Sequence, residues 1–268
     1  MTRFAIVIAL LLAAAAPAQT QWLKYPTAGV PKTAAGLPDL EAAPPRAADG
    51  KPDLSGIWLP LKNRPCPAEG CADMLVGQQF MDMGWGLPGG LPYQPWAAAL
   101  VKQRTAELRL NDPNSQCLPI GIVRMHTTPL YRKIVQTPAL VIILSERQVW
   151  YRQIFTDGRP LPSDPVPTWN GYSVARWEDD TLVVQSSGFR DGMWLDAIGS
   201  PLTEAAKITE RFHRANYGTL DITITVDDPK AYTAPWTTTI RHLIALDTEL
   251  IDYVCQENEK DVRHLVGK

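Results

Sequence analysis

The strictest pattern in the chain is the alternation in LDITITVD, residues 220–227. Apolar side chains fill every second position, and aspartate or threonine fills each position between them. Because successive side chains of a strand point to opposite faces, the pattern predicts a strand with one apolar and one polar face. Such a face has to be covered, which happens when a sheet closes on itself or packs against a second sheet.

Neighbouring segments continue this pattern. WTTTIRHLIAL and ELIDYVCQ follow through a short turn, and the upstream YRKIVQTPALVIILSE and RQVWYRQIF are rich in β-branched and aromatic residues. A helix is expected over 95–110, where Pro95 suits the first turn and the stretch NDPN ends it. The sequence therefore predicts a mainly antiparallel all-β fold, a closed or partly closed lipocalin-like barrel with one or two accessory helices.

The stretch GYSVARWEDDTLVV, residues 171–184, has two interpretations. It approximates the G-x-S-x-G elbow that presents a nucleophilic serine, here Ser173. An elbow needs a helix directly after the serine, whereas this sequence continues as a strand, turns at 178–180 and returns as TLVVQS. A hairpin is therefore expected, and Ser173 is not expected to be a nucleophile.

The N-terminal residues have the features of a secretory signal peptide, assigned to residues 1–18. Arg3 precedes an apolar run over 4–15, and Ala16-Pro17-Ala18 is a typical cleavage site. The run is too short to span a membrane, so no transmembrane segment is expected in the mature chain. Residues 19–51, which contain a repeat with a period of 14 (PKTAAGLPDL and PRAADGKPDL), are expected to be a linker. A single domain is expected over 52–268, in the periplasm or outside the cell.

Four cysteines in an exported chain favour disulfides. Three pairings are possible, and we favour a local bridge between Cys66 and Cys71 with a long-range bridge between Cys117 and Cys255. The four histidines are scattered and the cysteines lack zinc spacing, so no metal is expected. No cofactor is expected either.

The charge distribution narrows the possible partners. The formal net charge is −2 and no run of lysine or arginine occurs, which argues against binding to nucleic acid. Nine tryptophans and eight tyrosines would suit a pocket for a small hydrophobic or aromatic molecule, although aromatic side chains on strands also build ordinary cores.

Several stretches together resemble an uncharacterised family of secreted bacterial proteins. They are GKPDLSGIW, DPNSQCLP, YRQIFTDGR, TWNGYSVARWEDDTLVV, ITERFHR, DDPKAYTAPW and CQENEKD. The resemblance covers residues from about 51 to 268 and implies export and a β-rich fold, but no particular reaction. Ala175 and Asp179 stand where the pattern has glycine, and GSPLTE lacks a histidine of that pattern, so no site transfers there.

A looser similarity connects the chain to lipocalin-like barrels. Their first strand carries G-x-W, as Gly56-Ile57-Trp58 does here. In those barrels the tryptophan closes the base beneath an arginine from a late strand, and the resemblance leaves Arg241 and Arg263 as candidates for that arginine.

Charged residues on apolar strand faces are the best candidates for a site, because a buried charge is costly unless it is paired or used. Glu210 shares a face with Ile208 and Phe212, and His242 shares a face with Trp236 and Ile240. Each is a candidate proton carrier; the alternatives are a buried pair of Glu210 with Arg152 or Arg176, and a core histidine. The remaining candidate ligand-binding residues on these strands are Tyr172 and Trp177.

Three functions follow from this pattern. The first is an exported barrel that binds a small hydrophobic or aromatic molecule. The second is a barrel enzyme, an isomerase, hydratase or lyase, that uses Glu210 and His242 for acid–base chemistry. The third is an envelope protein that binds another protein along a strand edge. Whether the protein is an enzyme, and what it binds, do not follow from the sequence.

Overall fold

The computed structural model describes residues 25–62, 77–148, 150–255 and 257. The predicted signal peptide, Cys66, Cys71 and Arg263 lie outside these residues. The strands are β1 (Gly56–Pro60), β2 (Arg132–Gln136), β3 (Leu140–Ser145), β4 (Trp150–Phe155), β5 (Tyr172–Glu178), β6 (Thr181–Ser187), β7 (Met193–Trp194), β8 (Pro201–Leu202), β9 (Lys207–Arg214), β10 (Thr219–Asp227) and β11 (Trp236–Ile244). The helices are α1 (Gln78–Met81), α2 (Pro95–Ala106) and α3 (Gly121–Thr127), with a 3-10 turn at Pro113–Gln116.

Nine of the described strands close into one barrel. Their order around it is β1, β11, β10, β9, β6, β5, β4, β3 and β2, while β7 and β8 form a separate pair. All neighbours in the barrel are antiparallel except β4 and β5, which run parallel. The predicted barrel class is thus confirmed, with nine strands and one parallel junction.

The alternation in β10 determines which side faces the core, as predicted. Leu220, Ile222, Ile224 and Val226 have no exposed surface. On the outer face, Thr223 and Thr225 form hydroxyl hydrogen bonds with threonines of β11. The apolar set therefore drives barrel closure, because it leaves water only when the sheet curves around it.

The hairpin expected at GYSVARWEDDTLVV is present as β5 and β6. Its turn contains Asp179 with a φ of 51°, a left-handed conformation that suits the short polar side chain of aspartate. Ser173 lies buried inside the strand, and the strand continues after it, so the local geometry of a nucleophile elbow is absent.

The helices differ from the prediction in two ways. α2 begins at Pro95 as predicted but ends at Ala106, because Leu108 and Arg109 adopt left-handed conformations. The sequence did not predict α3, whose seven residues are all buried. A helix surrounded by protein on all sides has no polar face, so it shows no amphipathic period.

The 14-residue repeat folds into two matching loops within the region predicted to be a linker. In the first loop Thr33 donates its backbone N–H to Leu37, and in the second Ala47 donates in the same way to Lys51, each at 2.8–2.9 Å. Gly36 and Gly50, which occupy the same position in the two loops, have φ angles of 77° and 79°. The second loop is tied to the barrel by a double hydrogen bond from Arg46 to Asp180.

Trp58 of the G-x-W sequence is completely buried, and an arginine lies over its ring. That arginine is Arg214 of β9, with its guanidinium 4.9 Å from the ring centre. Of the two candidates, Arg241 does not take this place, because it lies on the outer face of β11, bound to Asp221, and Arg263 lies outside the described residues. The Arg214 guanidinium also donates to the carbonyl oxygens of Asp53 and Tyr217.

The predicted long-range disulfide is present between Cys117 and Cys255, which are separated by 138 positions. It joins the segment after β11 to the end of the 3-10 turn. Among the described residues, the helices are all too short or too polar to cross a bilayer.

Candidate functional site

The structure brings three of the predicted site residues into the barrel. Glu210 and His242 have 0% exposed surface and Arg152 has 1%. Trp177 is half-buried and packs against the core. Tyr172 and Arg176 lie on the outer face, where Arg176 donates to Glu178 at 2.7 Å.

Glu210 of β9 forms the centre of a buried polar network. Arg152, which reaches across from β4, donates to both of its carboxylate oxygens, at 2.9 Å to Oε1. His126 Nε2, on α3, lies 2.8 Å from the same Oε1. A carboxylate bound by a two-pronged guanidinium and a ring N–H has most of its hydrogen-bonding capacity filled.

The two hydroxyls of the hairpin extend this network. Ser173 on β5 and Ser186 on β6 lie 2.8 Å apart, and the Arg152 guanidinium donates to each at 3.1 Å. Arg152 therefore joins side chains from β5, β6 and β9 to its own strand β4. These hydrogen bonds can form together only when each of the four strands pairs with its neighbour in the observed register.

A second arginine binds the other side of α3. Arg132 of β2 donates to the carbonyl oxygens of His126, Thr128 and Leu130, at 2.7–2.9 Å. His242 Nε2 lies 2.8 Å from the His126 carbonyl oxygen and 2.9 Å from Arg132 Nη1. The Nδ1 atoms of His126 and His242 are buried and have no hydrogen-bond partner among the described residues.

Burial and the neighbouring charges together set the pKa values of the side chains in this network. Burial raises the pKa of Glu210, but the charge of Arg152 and the hydrogen bonds from His126 and Arg152 outweigh it and lower the pKa to about 2. Burial lowers the pKa of His126 despite the contact with Glu210. Burial, followed by the charge of Arg132, lowers that of His242 well below its usual value. At neutral pH the network thus contains a carboxylate and two neutral imidazoles.

Arg132 keeps its charge in this environment. Burial lowers its pKa to about 9, which is still above neutral pH. The charge of Glu146 acts against this shift. The catalytic roles assigned to Glu210 and His242 remain predictions.

Sequence reasoning missed His126, Arg132 and the role of the two serines. Arg132 could have been predicted from the sequence, because it lies two positions before Ile134 and therefore shares the apolar face of β2 with it. His126 was not, since it lies on the buried helix α3, which carries no periodic signal. Ser173 was considered only as a nucleophile, whereas its hydroxyl accepts hydrogen bonds from Arg152.

The barrel closes weakly between β4 and β5. Only Phe155 and Val174 form a registered pair there, compared with eight such pairs on each side of β10. A cleft of about 380 Å³ opens at this junction. We call it the seam cleft; it is lined by Trp150, Tyr151, Gln153, Phe155, Thr168, Asn170, Gly171, Tyr172 and Ser173.

Several contacts shape the seam cleft. Tyr172 stacks on Phe155 with ring centres 5.3 Å apart, and Arg159 lies over Phe155 while donating to the Tyr172 hydroxyl at 3.1 Å. Asn170 donates to the Tyr151 carbonyl oxygen at 3.0 Å, and its own Oδ1 is buried without a partner. Ser173 belongs both to the cleft and to the buried network.

Within the described ranges, no group of three or more His, Cys, Asp or Glu side chains is arranged to hold a metal ion. Comparison with known proteins finds no matching protein family and no similar curated protein.

Proposed function

We propose that this protein binds a small aromatic or hydrophobic molecule in the seam cleft. The observation that carries the proposal is an aromatic-lined cleft of about 380 Å³ at the least paired junction of the barrel. That volume lies in the range of about 300–1,000 Å³ typical of small-molecule sites. The exposed rings would supply most of the contact area, as they do in other ligand sites.

Polar groups in the cleft would fix the orientation of the ligand. Gln153 on the wall of the cleft has an exposed side-chain amide, which can donate or accept a hydrogen bond. The Tyr172 hydroxyl, held by Arg159, offers a second polar contact at the wall. A ring bearing a hydroxyl, amide or amine group meets both requirements.

Binding is proposed at the seam rather than around Glu210 because Glu210 and His242 have no exposed surface. The interior around them is filled by side chains such as Phe212, whose ring meets His126 edge-on at 5.7 Å. A ligand in the cleft would reach the network only through Ser173. The network would then support the floor of the site.

The alternative, acid–base catalysis by Glu210 and His242, has less support. A catalytic acid or base needs a pKa near the working pH and contact with the reacting group. The pKa of Glu210 is lowered to about 2, and neither residue is exposed. Turnover that is lost in Glu210→Gln, with binding in the cleft and folding intact, would restore this alternative.

We also propose that the chain is exported. The apolar run and A-x-A sequence at the N-terminus support this, together with the Cys117–Cys255 disulfide, which forms in oxidising compartments. Cell fractionation and N-terminal sequencing of the native protein test it. We expect an N-terminus at Gln19 in an extracytoplasmic fraction, and an intact Met1 in the cytoplasm would refute it.

Binding in the seam cleft is tested with a library of one- and two-ring aromatic compounds and short fatty acids. Hits from saturation-transfer NMR are measured by calorimetry on the wild type, Tyr172→Ala and Trp96→Ala. Trp96 is the matched control, an aromatic residue that is 47% exposed on α2, outside the cleft.

Tyr172→Ala should weaken binding about tenfold, since losing a contacting ring costs roughly 1–2 kcal/mol. Trp96→Ala should bind as the wild type does. A library without hits, or equal affinity in wild type and Tyr172→Ala, would contradict the proposal.

A further inference from the structure

A second, smaller cavity lies at one end of the barrel, beside the Cys117–Cys255 disulfide. It has a volume of about 150 Å³. We call it the rim cavity; its lining includes Phe80, Asn114, Ile120, Leu130, Arg147 and Tyr253. It shares none of these residues with the seam cleft.

The size and lining of the rim cavity fit a single ring. An apolar cavity of about 150 Å³ is large enough to hold benzene. Phe80, Ile120, Leu130 and the ring of Tyr253 give this cavity mostly apolar walls.

Arg147 gives the rim cavity a positive charge that is not neutralised. Its guanidinium lies 5.2 Å from the centre of the Tyr253 ring, and no described carboxylate forms an ion pair with it. Its Nε is buried without a hydrogen-bond partner. Guanidinium groups bind carboxylates with two parallel hydrogen bonds, so an anionic group is the complement that Arg147 lacks.

The other arginine of this cavity shows the contrast. Arg124 also lines the wall, but Asp112 accepts from both of its terminal nitrogens at 2.7 Å. Its charge is therefore used within the protein. Arg147 is left as the group that can bind a ligand anion.

The walls of the rim cavity are fixed by the fold. Tyr253 accepts a backbone hydrogen bond from Gln148 at 2.8 Å and pairs with Arg147 in a short parallel bridge. Two residues further on, Cys255 is bonded to Cys117, next to the turn that carries Asn114. The backbone that carries Tyr253 and Arg147 is thus held in place before any ligand binds, which lowers the entropic cost of binding.

From these contacts we infer that the rim cavity binds a small monocyclic carboxylate, with its ring among the apolar walls and its carboxylate on Arg147. The site goes beyond the proposed function, because it takes a different ligand class at a different place.

Benzoate and its neutral analogue benzyl alcohol are the probes. Their affinities are measured by calorimetry on the full disulfide-bonded protein and on Arg147→Gln. The matched control is Arg190→Gln, because Arg190 also lies over an aromatic ring (5.1 Å from the Trp169 centre) and does not line the cavity.

Benzoate should bind the wild type at least tenfold more tightly than benzyl alcohol does, since a charge-assisted hydrogen bond contributes that much. Arg147→Gln should lose this preference, and Arg190→Gln should retain it. Failure of benzoate to bind, equal affinity for the two probes, or an unchanged preference in Arg147→Gln would overturn the inference.

The two ligand sites can fail independently. Tyr172→Ala should leave benzoate affinity at the wild-type level, and Tyr253→Ala should reduce it. If Tyr172→Ala alone reduced benzoate affinity, benzoate would be binding in the seam cleft and the rim inference would be wrong. If the aromatic library gave no hits at the seam while benzoate bound through Arg147, only the proposed function would fail.

Discussion

The wall formed by β9, β10 and β11 and the junction between β4 and β5 close the same barrel by different means. Along the wall, each pair of neighbouring strands has eight residue pairs in register. At the junction there is one registered pair. The wall is held by backbone hydrogen bonds and apolar side chains, whereas the junction depends on side chains that reach it from inside.

Arg152 provides that connection. It lies on β4 and binds Ser173 of β5, Ser186 of β6 and Glu210 of β9. A buried ion pair is a poor source of net stability when compared with an apolar core, but breaking it leaves a charge without a partner. Burial of these polar groups therefore serves closure of the barrel, at a place where the backbone ladder is interrupted.

The largest expected effect comes from Glu210→Gln, which keeps the size of the side chain and removes its charge. Arg152 would then remain buried without a counter-ion, so the free energy of unfolding should fall by about 3–5 kcal/mol. Urea denaturation followed by circular dichroism measures this loss.

Glu178→Gln is the matched control for that variant. Glu178 also accepts from two arginines, Arg176 and Arg211, but it does so on the outer face in contact with water. Exposed pairs contribute little, so its loss should be far smaller. Similar losses in the two variants would show that burial of the Glu210 pair is not what matters.

Removing the long-range disulfide should have the next largest effect. Cys117→Ser combined with Cys255→Ser frees a loop of 138 positions, and about 2–5 kcal/mol should be lost. Since neither cysteine belongs to β4 or β5, amide exchange at the junction should change no more than it does elsewhere in the barrel. Selective loosening of the junction would mean that the disulfide, too, holds it closed.

The smallest effect is a change in the pH dependence of stability. Burial, followed by the charge of Arg132, holds the pKa of His242 well below the usual 6.5. Below pH 6.5 the unfolded chain takes up a proton that the folded chain does not, so stability falls as the pH falls. His242→Gln should reduce that slope by about 1.4 kcal/mol per pH unit.

Denaturation at several pH values between 5 and 7 gives the slopes, which are compared instead of the absolute stabilities. His213→Gln, at an exposed position on the outer face of β9, is the control for replacing a strand histidine by glutamine. An unchanged slope in His242→Gln would show that His242 takes up its proton over the same pH range in the folded and the unfolded chain.

Sequence reasoning predicted the parts of this network that obey strand alternation. The position of Glu210 between Ile208 and Phe212 fixed its inward direction and required a partner. To choose Arg152 over Arg176 as the partner of Glu210, one must know which face of β4 and which face of β5 points into the barrel. A single sequence does not contain this information. For the same reason, the two candidates for the arginine over Trp58, Arg241 and Arg263, did not include Arg214.

Other features left no local signal. The buried helix α3 has no polar face to reveal it, so His126 was missed. The parallel junction follows the proline-rich segment 156–171, whose composition indicates a loop but says nothing about which strands it joins. The seam cleft depends on that junction and could not be predicted without it.

The role of the Arg152–Glu210 pair in closing the barrel is tested most directly by hydrogen–deuterium exchange with mass spectrometry on wild type and Glu210→Gln. Peptides covering β4 and β5 report on the junction, and peptides covering β10 report on the wall. We expect the junction to exchange faster than the wall in the wild type, and Glu210→Gln to widen this difference. Equal exchange in the two regions, or uniform loosening in the variant, would contradict it.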